Sequence, residues 1–138
     1  MKERQRILLI DELKTSRDHF VAALRSAAFD VEEVESGRSG WSALQKSRFD
    51  LVFISLSLQD WDAITLVEQL RLREAGGSHA PVLAITTEEE PKAVYMKCLA
   101  VGVNGFVERT VERERLSAVA GVFLRLVEEP ANVEAPRC

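Results

Sequence analysis

The sequence is poor in the features that mark several functional classes. It holds two cysteines, Cys98 and Cys138, far apart and one of them the last residue. No CxxC or Cys/His cluster occurs, so zinc spacings and a disulfide framework are excluded, and both cysteines read as reduced thiols. No apolar run approaches the length of a membrane span. The leading MKERQRILLI carries an apolar stretch too short even for a signal-peptide core. Positive charge is not in excess: 18 Lys and Arg stand against 22 Asp and Glu, with a pI near 5.3. Nothing therefore supplies an obvious basic face for nucleic-acid phosphates. There is no Gly-rich phosphate loop, no nucleophile–base motif and no internal repeat, which argues against an enzyme with its own substrate. A cytoplasmic, non-enzymatic protein with no membrane or direct nucleic-acid contact is the expectation.

What is present is ordinary globular material. The chain has 138 residues, 46% apolar and 29% charged, enough for one domain that buries roughly two-thirds of its unfolded surface. Residues 6–10, RILLI, read as a strand buried on both faces. Residues 15–28 put Phe20, Val21, Leu24 and Ala28 on one helical face, with Thr15 or Ser16 as cap. A short edge strand is expected over 31–34. After Ser36-Gly37 a helix over 38–47 carries Trp41 and Leu44. Residues 50–55 form a third strand, and 62–74 a helix through Ile64, Leu66, Val67, Leu70 and Leu72.

Residues 74–80 are a loop by composition, and 82–85 a fourth strand. Pro91 suits the first turn of a helix that Gly102 ends. Residues 104–108 form a fifth strand, and 112–128 a helix with Leu116, Val119, Val122, Phe123 and Leu126 as its stripe. The domain thus spans 1–128, and 129–138 read as a flexible tail or linker stub. Five strand–helix repeats imply a doubly wound α/β fold with a parallel sheet and helices on both faces. Ligands in such folds collect at the carboxyl ends of the strands.

Those ends carry Asp11-Glu12, Ser55, Thr86-Thr87 and Glu108-Arg109-Thr110. Together with ILLIDE (7–12), FDLVFISLSLQDWDAI (49–64), PVLAITT (81–87) and GVNGFVER (102–109), they resemble the receiver domain of bacterial two-component response regulators over roughly residues 5–127. The resemblance implies a flavodoxin-like strand order 2-1-3-4-5. It implies an acidic pair that binds a divalent metal, usually magnesium, and an aspartate after the third strand that takes a phosphoryl group from a histidine kinase. It also implies a Thr or Ser that bonds the phosphoryl oxygens, a lysine after the fifth strand, and an aromatic residue that turns with the threonine.

On this chain the acidic pair is Asp11 and Glu12, the threonine Thr86 and the aromatic Phe106. Ser55 stands where the resemblance puts the phosphoacceptor aspartate, and Arg109 where it puts the lysine, followed by Thr110 in place of a favoured proline. Gln59 and Ala63 replace a usual Pro and a common Gly. A serine hydroxyl is un-ionised at neutral pH and needs a positioned base. Neither His19 nor His79 is placed to be one. Magnesium wants charged oxygen ligands, so losing one carboxylate leaves weak binding at Asp11 and Glu12 at most. Arg109 is expected to pair with Asp11 or Glu12 and to stand in for the metal.

Blander readings stand beside these. Asp11 and Glu12 also read as a solvated loop pair, Thr86 as a hydroxyl bonding its own backbone, and Phe106 as packing. Trp61 reads as an exposed contact or as folding back onto the helix over 62–74. The run Glu88-Glu89-Glu90 reads as a solvated helix start. Two functions remain open. One is a phosphorylation-independent interaction module working through the surface of the fourth helix, fifth strand and fifth helix. That surface carries Tyr95, Lys97, Val107 and the outer side of 112–126, with homodimerisation as one form. The other is a signalling switch triggered by modification of Ser55, Ser57 or Thr86, or by a small ligand in the vacant pocket.

Overall fold

The computed structural model describes residues 4–75, 79–87 and 90–128. Five strands alternate with five helices: β1 (Arg6–Ile10), α1 (Lys14–Ser26), β2 (Asp30–Val34), α2 (Gly37–Lys46), β3 (Leu51–Ser55), α3 (Ala63–Arg73), β4 (Val82–Thr86), α4 (Lys92–Val101), β5 (Gly105–Glu108) and α5 (Arg113–Glu128). The strands form one parallel sheet in the order β2-β1-β3-β4-β5, as the sequence pattern and the resemblance imply.

The central strands are near-continuous apolar runs because helices cover both their faces. Alternate residues serve opposite cores. Ile7, Leu9, Phe53, Leu83 and Ile85 meet Phe20 and Leu24 of α1 and Leu116, Ala120 and Leu124 of α5. Leu8, Ile10, Val52, Ile54 and Ala84 meet Ala43 of α2, Leu66, Val67 and Leu70 of α3 and Cys98 of α4. Each large side chain so buried contributes about 1.5–3 kcal/mol. Phe20 and Phe53 add an edge-to-face contact at 5.6 Å between centroids. At the β2 edge Val31 is buried while Glu32 and Glu33 face water, and charge there resists pairing with another chain. Gly40 lets α2 lie directly on β1, since a Cβ there would fall 2.5 Å from Ile10 Cδ1. Gly102 ends α4 at φ 112°, where other residues are strained.

Several local expectations are corrected. Neither Thr15 nor Ser16 caps α1. The helix begins at Lys14, the preceding Leu13 makes no side-chain cap, and Ser16 points its hydroxyl at Asp11. Helix α1 stops at Ser26. Ala28 adopts φ 72° and is exposed, because Phe29 N bonds back to Leu24 O and closes the end of the helix. Ser36 is the cap of α2, accepting from Ser39 N. Leu72 and Val122 are exposed. The buried line of α5 runs Leu116, Ala120, Leu124, with Val119 and Phe123 beside it, since a four-residue step tracks the helix face more closely than the spacing inferred from bulk alone. Other boundaries shift by one or two residues. The side chain of Leu126, residues Glu88 and Glu89, and the tail over 129–138 lie outside what is described.

Candidate functional site at the strand ends

Asp11 follows β1 and is fully buried, which sets aside the solvated-loop reading for it. Its carboxylate is held on every side. Oδ1 accepts from Leu13 N at 3.1 Å and from Arg109 Nη1 at 3.1 Å. Oδ2 accepts from Ser16 Oγ at 2.6 Å and from the same Nη1 at 3.3 Å. Arg17 Nη1 donates to Asp11 O at 2.8 Å.

Ser55 closes β3 and is also fully buried. Its Oγ accepts from Arg109 Nη2 at 2.9 Å and from Ser57 N at 3.1 Å. Arg109 follows β5, so one guanidinium reaches side chains from β1 and β3 at once. Its backbone N also donates to Thr86 O at 2.8 Å, which ties in the end of β4. Among the described residues no buried polar side-chain atom lacks a partner.

Of the residues singled out in the sequence, then, Asp11, Ser55 and Arg109 meet directly, with Thr86 alongside. Arg109 pairs with Asp11 and not with Glu12. It engages both oxygens through one nitrogen, leaving the other for Ser55, so the fork spans two residues instead of clasping one. Glu12 turns outward, and its Oε1 accepts from Gln59 N at 2.9 Å. Thr86 Oγ1 lies 3.4 Å from Val107 O, on the neighbouring strand, and not on its own backbone. Phe106 is half-buried and stands edge-on to Tyr95 at 4.8 Å.

Val107 is buried in the α1/α5 core, which removes it from the expected contact surface: an inward position on a β-strand cannot also face out. Trp61 is half-buried: it packs edge-on against Trp41 of α2 at 5.8 Å and joins the core that Ala63, Leu66, Val67 and Leu70 of α3 help to form, so it does not stand free. Ser16 is the pocket residue that sequence reading missed. A hydroxyl at a helix start suggests a cap, and only the fold turns it toward the acid five residues earlier.

The loop after β3 is pinned at two adjacent residues, Gln59 and Asp60. Besides the Glu12 contact, Asp60 accepts from Gly37 N at 2.9 Å and Arg38 N at 3.0 Å, at the start of α2. The Arg38 and Gly37 amides hold its carboxyl below the ordinary value of 3.8. On the same face of the sheet as α2 and α3, burial pushes the Cys98 thiol up, helped by the charges of Glu90 and Asp62.

The donor set fits a hard divalent cation poorly. Such an ion needs free carboxylate oxygens. A carboxylate offers about four acceptor positions, and all four on Asp11 are taken, two of them by a guanidinium. Glu12 faces the loop.

Comparison with known proteins agrees with the fold and places the chain. The family model for the response regulator receiver domain matches residues 7–120. Among curated proteins, the chain is 29% identical over 128 residues to probable histidine kinase 6 of Oryza sativa subsp. japonica, covering 80% of this chain and 13% of that protein. It is 28% identical over 131 residues to the DNA-binding response regulator MtrA of Mycolicibacterium smegmatis, covering 94% and 55%. The chain thus spans about half or less of these relatives.

Among solved structures, a CheY-like receiver domain protein of Methanospirillum hungatei JF-1 superposes with a TM-score of 0.83 at 18% identity, covering 92% of this chain and 98% of the other. Chemotaxis response regulator CheY4 of Vibrio cholerae gives 0.79 at 23% identity, covering 88% and 99%. At those identities the two structures speak for the fold, while the family match covers most of the sequence. The chain belongs to the response regulator receiver domains of two-component signalling.

Proposed function

We propose that this receiver domain is an interaction module whose output does not depend on phosphoryl transfer to position 55. The observation that carries this reading is the state of the Ser55 hydroxyl. It is fully buried, and both of its partners, Arg109 Nη2 and Ser57 N, are donors. Both lone pairs are thereby engaged, and attack needs a free one with a base to take the proton. The histidines are committed elsewhere: His19 Nε2 is 2.6 Å from Val111 O, and His79 Nε2 is 3.2 Å from Glu74 O.

Recognition is assigned to the outer face of α4, β5 and α5. Most of α4 is apolar, yet its outward side is open, with Met96 59% and Leu99 52% exposed. Ala93 and Ala100 are exposed with them, Lys92 and Lys97 rim the face, and Val122 stands out from α5. A patch of this kind suits a protein partner, a second copy of the chain included. The domain is read as non-enzymatic and cytoplasmic, without a metal cofactor, and without direct nucleic-acid or membrane contact. No described helix is long and apolar enough to cross a membrane.

The decisive experiment is incubation with acetyl phosphate and with a phosphorylated histidine kinase, followed by intact-mass measurement. No adduct is expected. A stoichiometric phosphoryl adduct that peptide mapping places at Ser55 would overturn the reading.

One observation keeps a second reading alive. Ser55 and Thr86 are buried, but Ser57 is exposed, and its N–H bonds Ser55 Oγ. A Ser/Thr kinase acting on Ser57 would therefore reach the pocket through the backbone. Phosphopeptide mapping from cells separates the two readings: a modified Ser57 supports the switch, and an unmodified one supports the module.

A further inference from the structure

We infer that the pocket carries a second lock besides its serine: the Arg109 guanidinium is its resident cation, and it keeps divalent cations out even when a carboxylate is restored at position 55. The inference rests on the reading of Ser55 as the phosphoacceptor position and goes one step past it.

The geometry is specific. Nη1 sits on both oxygens of Asp11, and Nη2 sits 2.9 Å from Ser55 Oγ. A carboxylate introduced by Ser55→Asp would appear where Nη2 already points. The substitution therefore turns a neutral acceptor into a charged one and strengthens the bond, since charge-assisted hydrogen bonds are roughly twice as strong as neutral ones. The second acid that metal binding calls for tightens the competitor's hold on the first.

Departure of the guanidinium would give up both of its side-chain partners, since Arg109 touches no other acceptor through its side chain in the contacts described. A lysine behaves differently. Its ammonium is a single point charge, without a planar fork to span Asp11 and residue 55 at once. Arg109→Lys therefore loosens the bridge while keeping the net charge.

A ligand that must wait for a rarely populated open state binds more weakly by the fraction of molecules open. Metal affinity should thus depend on position 109 more than on position 55 alone, and the two substitutions should act together and not additively.

The test uses Mn²⁺ as probe, read by selective broadening of the Leu13 and Ser57 amide signals in NMR spectra of the whole chain. The wild type and Ser55→Asp should show no selective broadening at millimolar Mn²⁺. Ser55→Asp/Arg109→Lys should show it, with an apparent affinity at least about tenfold tighter than Ser55→Asp alone. Binding by Ser55→Asp as tight as by the double variant overturns the inference, as does selective broadening in the wild type. Signal dispersion reports folding in the same spectra. If the double variant does not fold, Ser55→Asp decides alone: broadening rejects the lock and its absence upholds it. The two failures are distinct. A phosphoryl adduct from acetyl phosphate at Ser55 of the wild type overturns the proposed function and leaves the Mn²⁺ result standing; Mn²⁺ binding by Ser55→Asp overturns the lock and leaves the labelling result standing.

Discussion

Two arginines organise two corners of this domain, and they do so by opposite means. Arg71, at the end of α3, reaches backbone: Nε and Nη2 donate to Gly102 O at 3.1 and 2.8 Å, and Nη1 to Ala80 O at 2.8 Å. Asn104 Oδ1 and Glu74 complete its shell. Arg109 reaches side chains alone, those of Asp11 and Ser55. The two are almost equally buried, at 17% and 15% side-chain exposure, so burial does not account for the difference. What separates them is the nature of the partner. Backbone carbonyls stay whatever residue carries them, so Arg71 holds the turn between α4 and β5 as a structural clamp. Side-chain partners can be exchanged, so Arg109 marks a place where chemistry can be gained or lost.

The largest effect expected from this contrast is at Asp11. Removing it by Asp11→Ala strands a buried guanidinium, and breaking a buried pair from one side costs about 3–5 kcal/mol. Arg71→Met should cost less, about 2 kcal/mol, because Gly102 and Ala80 are only half-buried and Glu74 keeps a second donor in Ala80 N. Urea unfolding of the two variants checks the order. A larger loss at Arg71 would mean that the clamp, and not the pocket, is the strained point of the fold.

The same contrast explains what could be read from the sequence. The five strand–helix units were legible because the central strands are unbroken apolar runs and the helices keep a regular face. Asp11, Ser55 and Arg109 were legible as a set because side-chain identity is what a sequence records. Arg71 was not, since three of its bonds go to the carbonyls of Gly102 and Ala80, where any residues would offer the same atoms, and only the fold brings Asn104 beside it. Which of Asp11 and Glu12 would meet Arg109 stayed open for a related reason. Two adjacent acids look alike in a sequence, but the backbone sends one inward and the other toward Gln59 N. Trp61 likewise found Trp41, a partner twenty positions earlier that no local pattern marks.

Ser16 sharpens the comparison at an intermediate scale. Its hydroxyl donates to Asp11 at 2.6 Å from a buried position. Ser16→Ala should cost about 1.5–3 kcal/mol, the range for a hydrogen bond to a charged group. It should also leave the Arg109 contact intact, since Nη1 already touches both oxygens. Urea midpoints give the cost, and the Arg109 side-chain NMR signals report the contact. A loss as large as that of Asp11→Ala would show that the hydroxyl, and not the guanidinium, carries the carboxylate.

The smallest expected effect reverses the sign of the Arg71 case. Asp60 binds backbone as Arg71 does, but as an anion meeting the amides of Gly37 and Arg38, and in the open. Its carboxyl is held below the ordinary value of 3.8, so the folded state favours the ionised form. A group whose folded pKa is depressed contributes stability that is fully present above the unfolded pKa, near 3.9, and is lost as pH falls through the lower folded value. Asp60→Asn removes that contribution. The gap in urea midpoint between wild type and variant should therefore be constant from pH 7 to about 5 and close as the pH falls below about 4. Exposure and salt keep the gap small. A gap that persists unchanged at low pH would mean that the side chain holds α2 by shape alone, and that charge at this helix start does not matter.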